Sequence, residues 1–453
     1  MPDRITVLGI DIGSTTSHCI LVEASIAADG IERTRNRVVD PKILYQSEVT
    51  FTPFQNETID TAALSHLLDT WLPNRQVPFR EVTNVGAIIT GLAAVSRNRV
   101  AIIEELRRRF PKASVITAED PRLESWVAWH GAAGPLSLGR PGQPILNFDI
   151  GGGTTNLALG VDGRVLATGS YFIGARHFLV DKGQLIPRSH SARAILSARP
   201  ELAALPAADT AQALARLYTG LLENLLTDAQ SPILSQFEQA AFPATDLSSC
   251  TITFSGGVGE LIYANSDPPL FSFGDIGGHL ARAIRSSPRL SRDLASSRPS
   301  FRTRATAIGL GLHNTWVSGA SFHISDRSLL PLMGIPIAAR FHFGAPWDSI
   351  TQALNSVNTL PTFAVQILGR PANTDIIRET AHCLAKTFTH QKNTLVLLTE
   401  SNSGKVLGDY VTEWGRLPIR CIALDEIEPL PAQFVSIGEE LKTSVPVSFF
   451  GLY

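Results

Sequence analysis

The feature that most constrains this chain is the stretch NFDIGGGTTN at residues 147–156, which follows an apolar run and so begins as a strand. Asp149 ends the strand, and glycines, which lack a Cβ, follow it and can bring backbone N–H groups close to an oxyanion. A carboxylate here would repel phosphate unless a divalent cation, held through water, lay between them. The stretch therefore predicts a turn for Mg²⁺-nucleotide phosphates, and a tight hairpin with an incidental Asp is the alternative. The predicted turn consists of Gly151, Gly152, Gly153, Thr154 and Thr155.

A second copy of this pattern lies near the start of the chain. The apolar residues 7–10 lead into Asp11 and Ile12, and a turn follows. Both copies continue with alternating polar and apolar residues, at 18–22 and at 156–161. Two hairpins of one design, far apart in the chain, predict a duplicated domain in which each half contributes one phosphate-binding turn. The first turn consists of Gly13, Ser14, Thr15 and Thr16.

Three further segments extend the pattern. Residues 251–254 form a β-branched strand that enters Ser255, Gly256 and Gly257, a junction where a base or ribose can lie against backbone without side chains. Residues 304–311 predict a helix of small residues, which suits a hinge, although close packing alone would also explain it. Glu124 belongs to a predicted helix at 120–131 and either orients a water or the metal, or is an exposed helical Glu.

Composition narrows the function classes. A chain of 453 residues can form more than one domain, and its net charge of −2 does not favour a nucleic acid or an anionic membrane as partner. Four scattered cysteines argue against a disulfide framework and a structural zinc site, and fit a reducing cytosol. No apolar run is long enough to span a bilayer.

The predicted organisation has three parts, at residues 1–143, 144–325 and 326–453. In the last part, strands alternate with helices, which predicts a small parallel α/β unit. We also expect a polar surface loop at 27–37 and a Gly/Pro-rich loop at 131–144. The run of three arginines at 107–109 is expected to be a solvated face at the end of a helix.

The ordered set of motifs resembles the ATPase superfamily of actin, hexokinase and the heat-shock chaperones. The set comprises the Asp11 turn, the helix before the second strand, the Asp149 turn, the Ser255 junction and the small-residue helix. The resemblance implies an α/β fold with two duplicated ribonuclease-H-like domains closing over Mg-ATP, followed by the smaller C-terminal α/β domain.

Within that superfamily the chain resembles the EutA family, the reactivating factors of ethanolamine ammonia-lyase. The residues that carry this resemblance are 9–16, 88–91, 120–125, 149–154, 304–309, 436–438 and 445–447. It implies a protein that uses ATP and Mg²⁺ to release damaged cobalamin from the inactivated lyase, so that intact adenosylcobalamin can enter. The lyase would be the partner, and a homo-oligomer stays open. Residues 29–37, 126–130 and 285–304 do not match the family and leave partner specificity open.

The resemblance implies a role for each predicted site residue, which we state as a hypothesis. Asp11 and Asp149 hold hydrated Mg²⁺, and Glu124 positions the attacking water, so that Asp149 and Glu124 are the catalytic candidates. Both turns donate hydrogen bonds to phosphates. The adenosine lies against Ser255, Gly256 and Gly257. The phosphate-binding set is Gly13, Ser14, Thr15, Thr16, Gly151, Gly152, Gly153, Thr154 and Thr155.

Two other functions fit the same fold. A small-molecule kinase would need a carboxylate base facing the γ-phosphate, and the sequence identifies none. A nucleotide-binding scaffold of the filament-forming type would show little turnover, and the chain has no amphipathic membrane tail, because residues 448–453 are better interpreted as a closing strand.

Overall fold

The computed structural model describes most of the chain, and three β-sheets organise it. Among the described residues, no helix is both long and apolar enough to cross a membrane. The described residues are 4–13, 16–29, 35–55, 58–71, 82, 84–90, 96–110, 113–117, 121–227, 232–243, 247, 249–267, 270–271, 273–302, 305–309, 315–319, 321–355, 360–389, 393–430, 432–441 and 444–452.

The first sheet and its two helices form the first lobe. Its strand order is β3-β2-β1-β7-β8, in which β1, β2 and β3 are antiparallel neighbours and β7 and β8 continue parallel to β1; β4 pairs with β2. Leu8, Ile10 and Ile12 of β1 pack into the core that includes the two helices. The strands are β1 (Arg4–Ile12), β2 (Thr16–Asp29), β3 (Arg35–Gln46), β4 (Thr50–Phe51), β5 (Phe54–Gln55), β6 (Thr58–Ile59), β7 (Asn84–Ile89) and β8 (Ala113–Thr117), and the helices are α1 (Thr61–Trp71) and α2 (Arg99–Arg109).

Two helices then lead to the second lobe, whose sheet repeats this arrangement. They are α3 (Pro121–Ala132) and α4 (Gly134–Leu138). The second sheet has the order β14-β11-β10-β9-β15, in which β14, β11, β10 and β9 are antiparallel neighbours and β15 continues parallel to β9. The strands are β9 (Ile145–Ile150), β10 (Thr155–Val161), β11 (Arg164–Tyr171), β12 (Phe178–Asp181), β13 (Gln184–Pro187), β14 (Glu238–Ala240) and β15 (Thr251–Ser255), and the helices are α5 (His190–Ala198), α6 (Pro200–Ala203), α7 (Ala207–Leu225), α8 (Pro232–Ser235), α9 (Gly256–Ile262) and α10 (Gly277–Ser286).

The duplication extends to the register of the strands. Asp11 pairs with His18 across the first hairpin, and Asp149 pairs with Asn156 across the second, so the two aspartates occupy equivalent positions. Each also faces the next parallel strand, Asp149 opposite Ser255. The predicted α/β fold with duplicated domains is therefore confirmed by sheet topology and register.

A short helix, α11 (Ala305–Ile308), joins the two lobes. Its residues Ala307 and Ile308 pack in one core with Ile5 and Val7 of β1, and its backbone lies against Gly131 of α3. The part of the predicted 304–311 helix beyond residue 309 lies outside the described residues.

The third sheet contains the predicted parallel α/β unit, and antiparallel outer strands make the sheet as a whole mixed. Its order is β16-β23-β22-β18-β19-β20-β21-β17, in which β18 to β21 are parallel and the outer strands are antiparallel. The outer strands come from the two ends of this part, and among them the closing strand predicted at 448–453 was found as the end of β23. The elements are β16 (Thr315–Val317), β17 (His323–Ile324), β18 (Leu332–His342), α12 (Trp347–Asn355), β19 (Thr362–Leu368), α13 (Thr374–Phe388), β20 (Thr394–Thr399), α14 (Gly404–Val411), β21 (Arg420–Leu424), β22 (Ala432–Ile437) and β23 (Pro446–Leu452).

Three local expectations were wrong. Residues 27–29 and 35–37 are strand and not loop, because β2 continues to Asp29 and pairs there with Arg35 of β3; cross-strand hydrogen bonding overrides the polar composition, and residues 30–34 lie outside the described residues. Residues 131–144 contain the helix α4, whose N-terminal turn carries a proline. Arg109 does not belong to a solvated face, since it bonds Asp69 at 2.5 Å and Ser65 at 2.6 Å and so ties α2 to α1.

Candidate functional site

The two predicted turns have the same hydrogen-bonded geometry. The N–H of Gly13 donates to the carbonyl of Thr16 at 3.0 Å, and the N–H of Gly151 donates to that of Thr154 at 2.9 Å. In each case an aspartate at the end of the buried first strand precedes the turn by two residues. Ser14 and Thr15, predicted to bind phosphate, lie outside the described residues.

Both turns open into one cavity of about 350 Å³ between the lobes. The second-lobe junction at Gly256 and the α3 residue Glu124 line the same cavity, so the predicted elements from separate parts of the chain meet there. The predicted site residues that line it are Asp11, Gly13, Thr16, Glu124, Asp149, Gly151, Gly152, Gly153, Thr154, Gly256 and Gly257.

Two predicted residues lie behind the cavity wall. Thr155 is fully buried, and its hydroxyl donates to the carbonyl of Ile173 at 2.7 Å. Ser255 is also buried, and its hydroxyl donates to Oδ1 of Asp149 at 2.5 Å. Both hydroxyls are therefore committed to the protein, the first holding the turn against the segment that follows β11 and the second orienting the aspartate.

The second turn is held by the 3-10 segment Ala175–His177. The carbonyl of Gly151 accepts from the N–H of Ala175 at 3.1 Å, and that of Gly152 from the N–H of Arg176 at 2.6 Å. Because these carbonyls are occupied and the N–H groups of Gly152 and Gly153 have no acceptor among the described residues, those N–H groups are available to an oxyanion.

His177 completes the support of this turn. Its Nε2 lies 2.8 Å from the carbonyl of Gly153, which can only accept, so Nε2 carries the proton. Burial lowers the pKa of His177, and the neutral ring therefore accepts at Nδ1 from Ser189 at 2.6 Å. Sequence reasoning missed this residue; its only signal was the Gly174 turn that follows a predicted strand.

A chain of buried hydrogen bonds orients Asp149. Thr253 donates to Oδ1 of Asn147 at 3.0 Å, and the amide of Asn147 donates to the hydroxyl of Ser255 at 2.8 Å. Ser255 in turn donates to Asp149. The chain links adjacent parallel strands, β9 and β15, and so holds the carboxylate at the strand end in one orientation. Asn147 and Thr253 had no functional signal in the sequence.

The three carboxyl groups predicted for the site, Asp11, Glu124 and Asp149, have raised pKa values. Burial raises the pKa of Asp149 to about 6, although the hydrogen bond from Ser255 opposes this shift. Burial, and next the charge of Asp149, raises the pKa of Asp11 to about 7. Burial, and next the charges of Asp11 and Asp149, raises the pKa of Glu124 to about 8. Carboxylates that repel one another in a shared cavity favour a cation between them.

The fit of a magnesium ion depends on how these groups are spaced. Oδ1 of Asp11 is buried and has no hydrogen-bond partner among the described residues, which suits a group that awaits a cation or its water. Within the described residues, however, no three His, Cys, Asp or Glu side chains are close enough to bind a metal directly. The residues therefore fit a hydrated magnesium ion, which keeps several waters of its own.

The junction of β15 with α9 can accommodate a flat ligand. Gly256 has a φ of 79°, and a Cβ there would lie 2.4 Å from the carbonyl oxygen of Ile150, so no other residue fits. A Cβ on Gly257 would meet nothing within 4 Å, which leaves open space on the cavity side. The side chain of Glu260, one turn further, pairs with Arg302 at 2.9 Å.

Two lobes of this topology, each presenting an aspartate turn to a shared cavity, define a protein of the actin-like ATPase fold. The family described as "Ethanolamine utilisation protein EutA" matches residues 3–452, nearly the whole chain. This chain belongs to the EutA family, which confirms the family resemblance predicted from the sequence.

Curated relatives agree with this assignment. A protein of Salmonella typhimurium named "Ethanolamine ammonia-lyase reactivase EutA" is 30% identical over 97% of this chain and 96% of its own. The protein of the same name from Escherichia coli is 27% identical over 97% of this chain and 96% of its own.

Solved structures resemble the chain more distantly. A Ppx/GppA family member from Aquifex aeolicus has a TM-score of 0.35 and 15% identity over 68% of this chain and 88% of its own. The protein EutJ from Carboxydothermus hydrogenoformans has a TM-score of 0.33 and 14% identity over 69% of this chain and 90% of its own. The activator of a Clostridium difficile dehydratase, with ADPNP bound, has a TM-score of 0.33 and 14% identity over 68% of this chain and 94% of its own. The assignment therefore depends on the sheet topology and the family match.

Proposed function

We propose that this protein is an ATP-dependent reactivating factor for ethanolamine ammonia-lyase. The proposal that the protein binds a nucleotide rests on one observation: the two matched aspartate turns open into one cavity. The client is inferred from two relatives that carry the name of a lyase reactivase and align with 97% of this chain. The reaction would release damaged cobalamin and let intact adenosylcobalamin enter the lyase.

The proposed ligand is Mg-ATP. Asp11 and Asp149 would hold hydrated Mg²⁺, which when bound offsets phosphate charge. Ser255 keeps the Asp149 carboxylate oriented, and adenosine would lie against Gly256 and Gly257. The phosphate-binding groups would be the backbone N–H groups and hydroxyls of Gly13, Ser14, Thr15, Thr16, Gly151, Gly152, Gly153 and Thr154.

Glu124 is the proposed group for the attacking water. It lines the cavity together with both aspartates, on the helix that links the two lobes. Burial, and next the charges of Asp11 and Asp149, raise its pKa. A cation near the two aspartates would offset the second cause and favour the ionised carboxylate, which can accept a hydrogen bond from water. A carboxylate in this position orients the nucleophile; it does not bind the phosphate.

The nucleotide would act on the client by changing the shape of the protein. Residues 1–143 and 144–325 are the proposed closing domains, and residues 326–453 the C-terminal domain. Hydrolysis would break contacts that bridge the lobes around α3 and α11, and the lobes would reopen. The nucleotide can shift this equilibrium only by its different affinity for the two shapes. We place this activity in the cytoplasm, in association with a bacterial microcompartment, and a homo-oligomer is compatible with it.

Recovery of blocked lyase tests the proposal. Ethanolamine ammonia-lyase inactivated with cyanocobalamin is incubated with this protein, ATP, Mg²⁺ and adenosylcobalamin, and deamination of ethanolamine is measured. We expect recovery with the wild type and with Asp181→Ala, a control at an exposed hairpin tip. Asp149→Ala should abolish both ATP turnover and recovery. Unchanged turnover in Asp149→Ala would refute the scheme, and phosphorylation of a small molecule without recovery would favour a kinase.

A further inference from the structure

One cationic side chain in the cavity has no part in the scheme above. Arg176 lies in the segment behind the second turn, where its N–H donates to the carbonyl of Gly152 at 2.6 Å. Its guanidinium group lines the cavity, and its side chain is only 23% exposed. An arginine so placed is part of the cavity wall and is not a surface charge.

The charge balance of the cavity gives Arg176 its importance. Asp11, Glu124 and Asp149 are joined there by Asp275 and by Glu260, which pairs with Arg302, and among the described residues that line the cavity Arg176 is the only arginine or lysine. Oδ2 of Asp275 lies 4.0 Å from Nη1 of Arg176. Oδ1 of Asp275 already accepts a hydrogen bond from the N–H of Gly277 at 2.8 Å. A hydrated magnesium ion alone would leave much of a triphosphate's charge uncompensated, and a guanidinium group is suited to phosphate.

The first lobe contributes the contact that holds this arginine. The guanidinium carbon of Arg176 lies 4.6 Å from the ring centroid of Phe51, a distance typical of a cation–π contact. Phe51 is 55% exposed and also lines the cavity. A large aromatic side chain exposed at the edge of a cleft is explained by such a contact.

The two residues connect the two phosphate turns. Phe51 of β4 pairs with Thr16, the last residue of the first turn. Arg176 is bonded through its backbone to Gly152 of the second turn. The contact between their side chains therefore spans the cleft between the lobes, next to the place proposed for the phosphates.

We propose that Arg176 binds the terminal phosphate of the nucleotide and that Phe51, from the other lobe, positions its guanidinium group. This inference rests on the proposed nucleotide function and adds a regulatory part to it. In the structure Arg176 contacts Phe51 and lies 4.0 Å from Asp275 at the same time. The terminal phosphate gives Arg176 a further partner in the cleft, and the Phe51 contact, which needs closed lobes, couples that binding to closure. Loss of the terminal phosphate removes this partner, and the lobes separate.

The test is the affinity for a non-hydrolysable ATP analogue compared with that for ADP, by isothermal titration with Mg²⁺. We expect Arg176→Ala to weaken binding of the analogue by at least ~10-fold and that of ADP much less. Arg176→Lys should recover only part of the lost affinity for the analogue, because the lysine ammonium group lacks the planar, forked geometry of the guanidinium group. Arg216→Ala, at an exposed position on α7, is the control and should match the wild type.

Phe51 is tested separately because its role is to position the arginine. Phe51→Ala should weaken analogue binding several-fold, Phe51→Tyr should restore it, and Phe172→Ala, at another exposed phenylalanine, should have no effect. The double variant with Arg176→Ala should bind no worse than Arg176→Ala alone. Wild-type affinity for the analogue in Arg176→Ala, or additive losses in the double variant, would overturn the proposal. A wild type that binds neither nucleotide overturns the proposed function itself, and this proposal with it.

Lobe closure provides a second readout. Protection of the wild type from limited proteolysis should increase with the analogue and not with ADP. In Phe51→Ala the difference between the two nucleotides should disappear even at saturating concentrations. Retained protection by the analogue in this variant would count against coupling through Phe51.

Discussion

The carbonyl oxygen of Ala305 occupies the place where a side chain at Gly131 would begin. A Cβ built on Gly131 would lie 1.8 Å from that oxygen, so α3 and α11 meet backbone to backbone. The helix α3 precedes the second sheet, and α11 also packs against β1 of the first. This contact is thus the junction through which the lobes are joined.

Substitution of Gly131 tests this junction. Gly131→Ala forces the two helices apart and should lower the free energy of unfolding by ~1–3 kcal/mol, the usual cost of overpacking. Gly220→Ala is the matched control: Gly220 is also helical, but an added Cβ would meet nothing within 4 Å. It should stabilise the protein by ~0.5–1 kcal/mol through helix propensity. Urea unfolding measures the free energy of unfolding of both variants. A Gly131→Ala variant as stable as the wild type would contradict the described contact between α3 and α11.

Glu124→Gln should separate catalysis from binding. The amide keeps the size of the side chain but cannot accept a proton or orient water as a carboxylate does. We expect ATP turnover to fall ~10²–10³-fold, while affinity for Mg-ATP stays within a few-fold of the wild type. Glu104→Gln, at an exposed position of α2, should leave both unchanged. A parallel loss of affinity and turnover would show that Glu124 supports the metal and does not position water.

Ser255→Ala should move the pH dependence of ATP turnover. The hydrogen bond from Ser255 lowers the pKa of Asp149, which burial raises to about 6. Without the bond the pKa of Asp149 rises further, and the ionised form needed to hold the cation appears only at higher pH. The acid limb of the turnover profile should shift upward by ~1 pH unit. Ser235→Ala, remote from the cavity, serves as control; an unshifted profile would exclude this role of Ser255.

A buried carboxyl group of the third sheet predicts a separate pH effect on stability. Burial, and next the charge of Glu426, raises the pKa of Asp425 from 3.8 to about 7. The folded protein then binds the proton more tightly than the unfolded chain does. The stability that this group contributes is therefore complete below pH ~4 and is lost as pH rises through ~7.

Thermal unfolding between pH 5 and 8 checks that effect. Asp425→Asn removes the titration, so its free energy of unfolding should fall less with rising pH than that of the wild type, by ~2 kcal/mol over this range. The cavity carboxyl groups act in both proteins, and the difference isolates Asp425. Asp209→Asn, at an exposed position of α7, should have the wild-type slope. Equal slopes for wild type and Asp425→Asn would contradict a raised pKa.

The sequence alone was sufficient wherever a structure depends on neighbours along the chain. The turns after Asp11 and Asp149 were predicted because a strand, an acidic residue and a turn of glycines or small residues are consecutive. The helix α7 follows the same rule, because apolar residues recur along it at helical spacing and form part of the core of the second lobe. Local hydrogen bonding and side-chain periodicity govern both cases.

Other features are decided by residues that meet only in the folded chain. The stretch 27–37 is polar in sequence and was expected to be a loop, but residues 27–29 and 35–37 are held by cross-strand pairing. The third sheet is mixed because strands from the two ends of its sequence pair at its edges.

The site shows the same division. The sequence determined which residues form the turns and that their chemistry suits a magnesium nucleotide, because glycine conformation and carboxylate charge are properties of single residues. Only the tertiary structure placed Ser255 against Asp149 and Phe51 against Arg176. These pairs belong to different strands or lobes, and no local pattern can specify a contact that exists only after distant strands have packed.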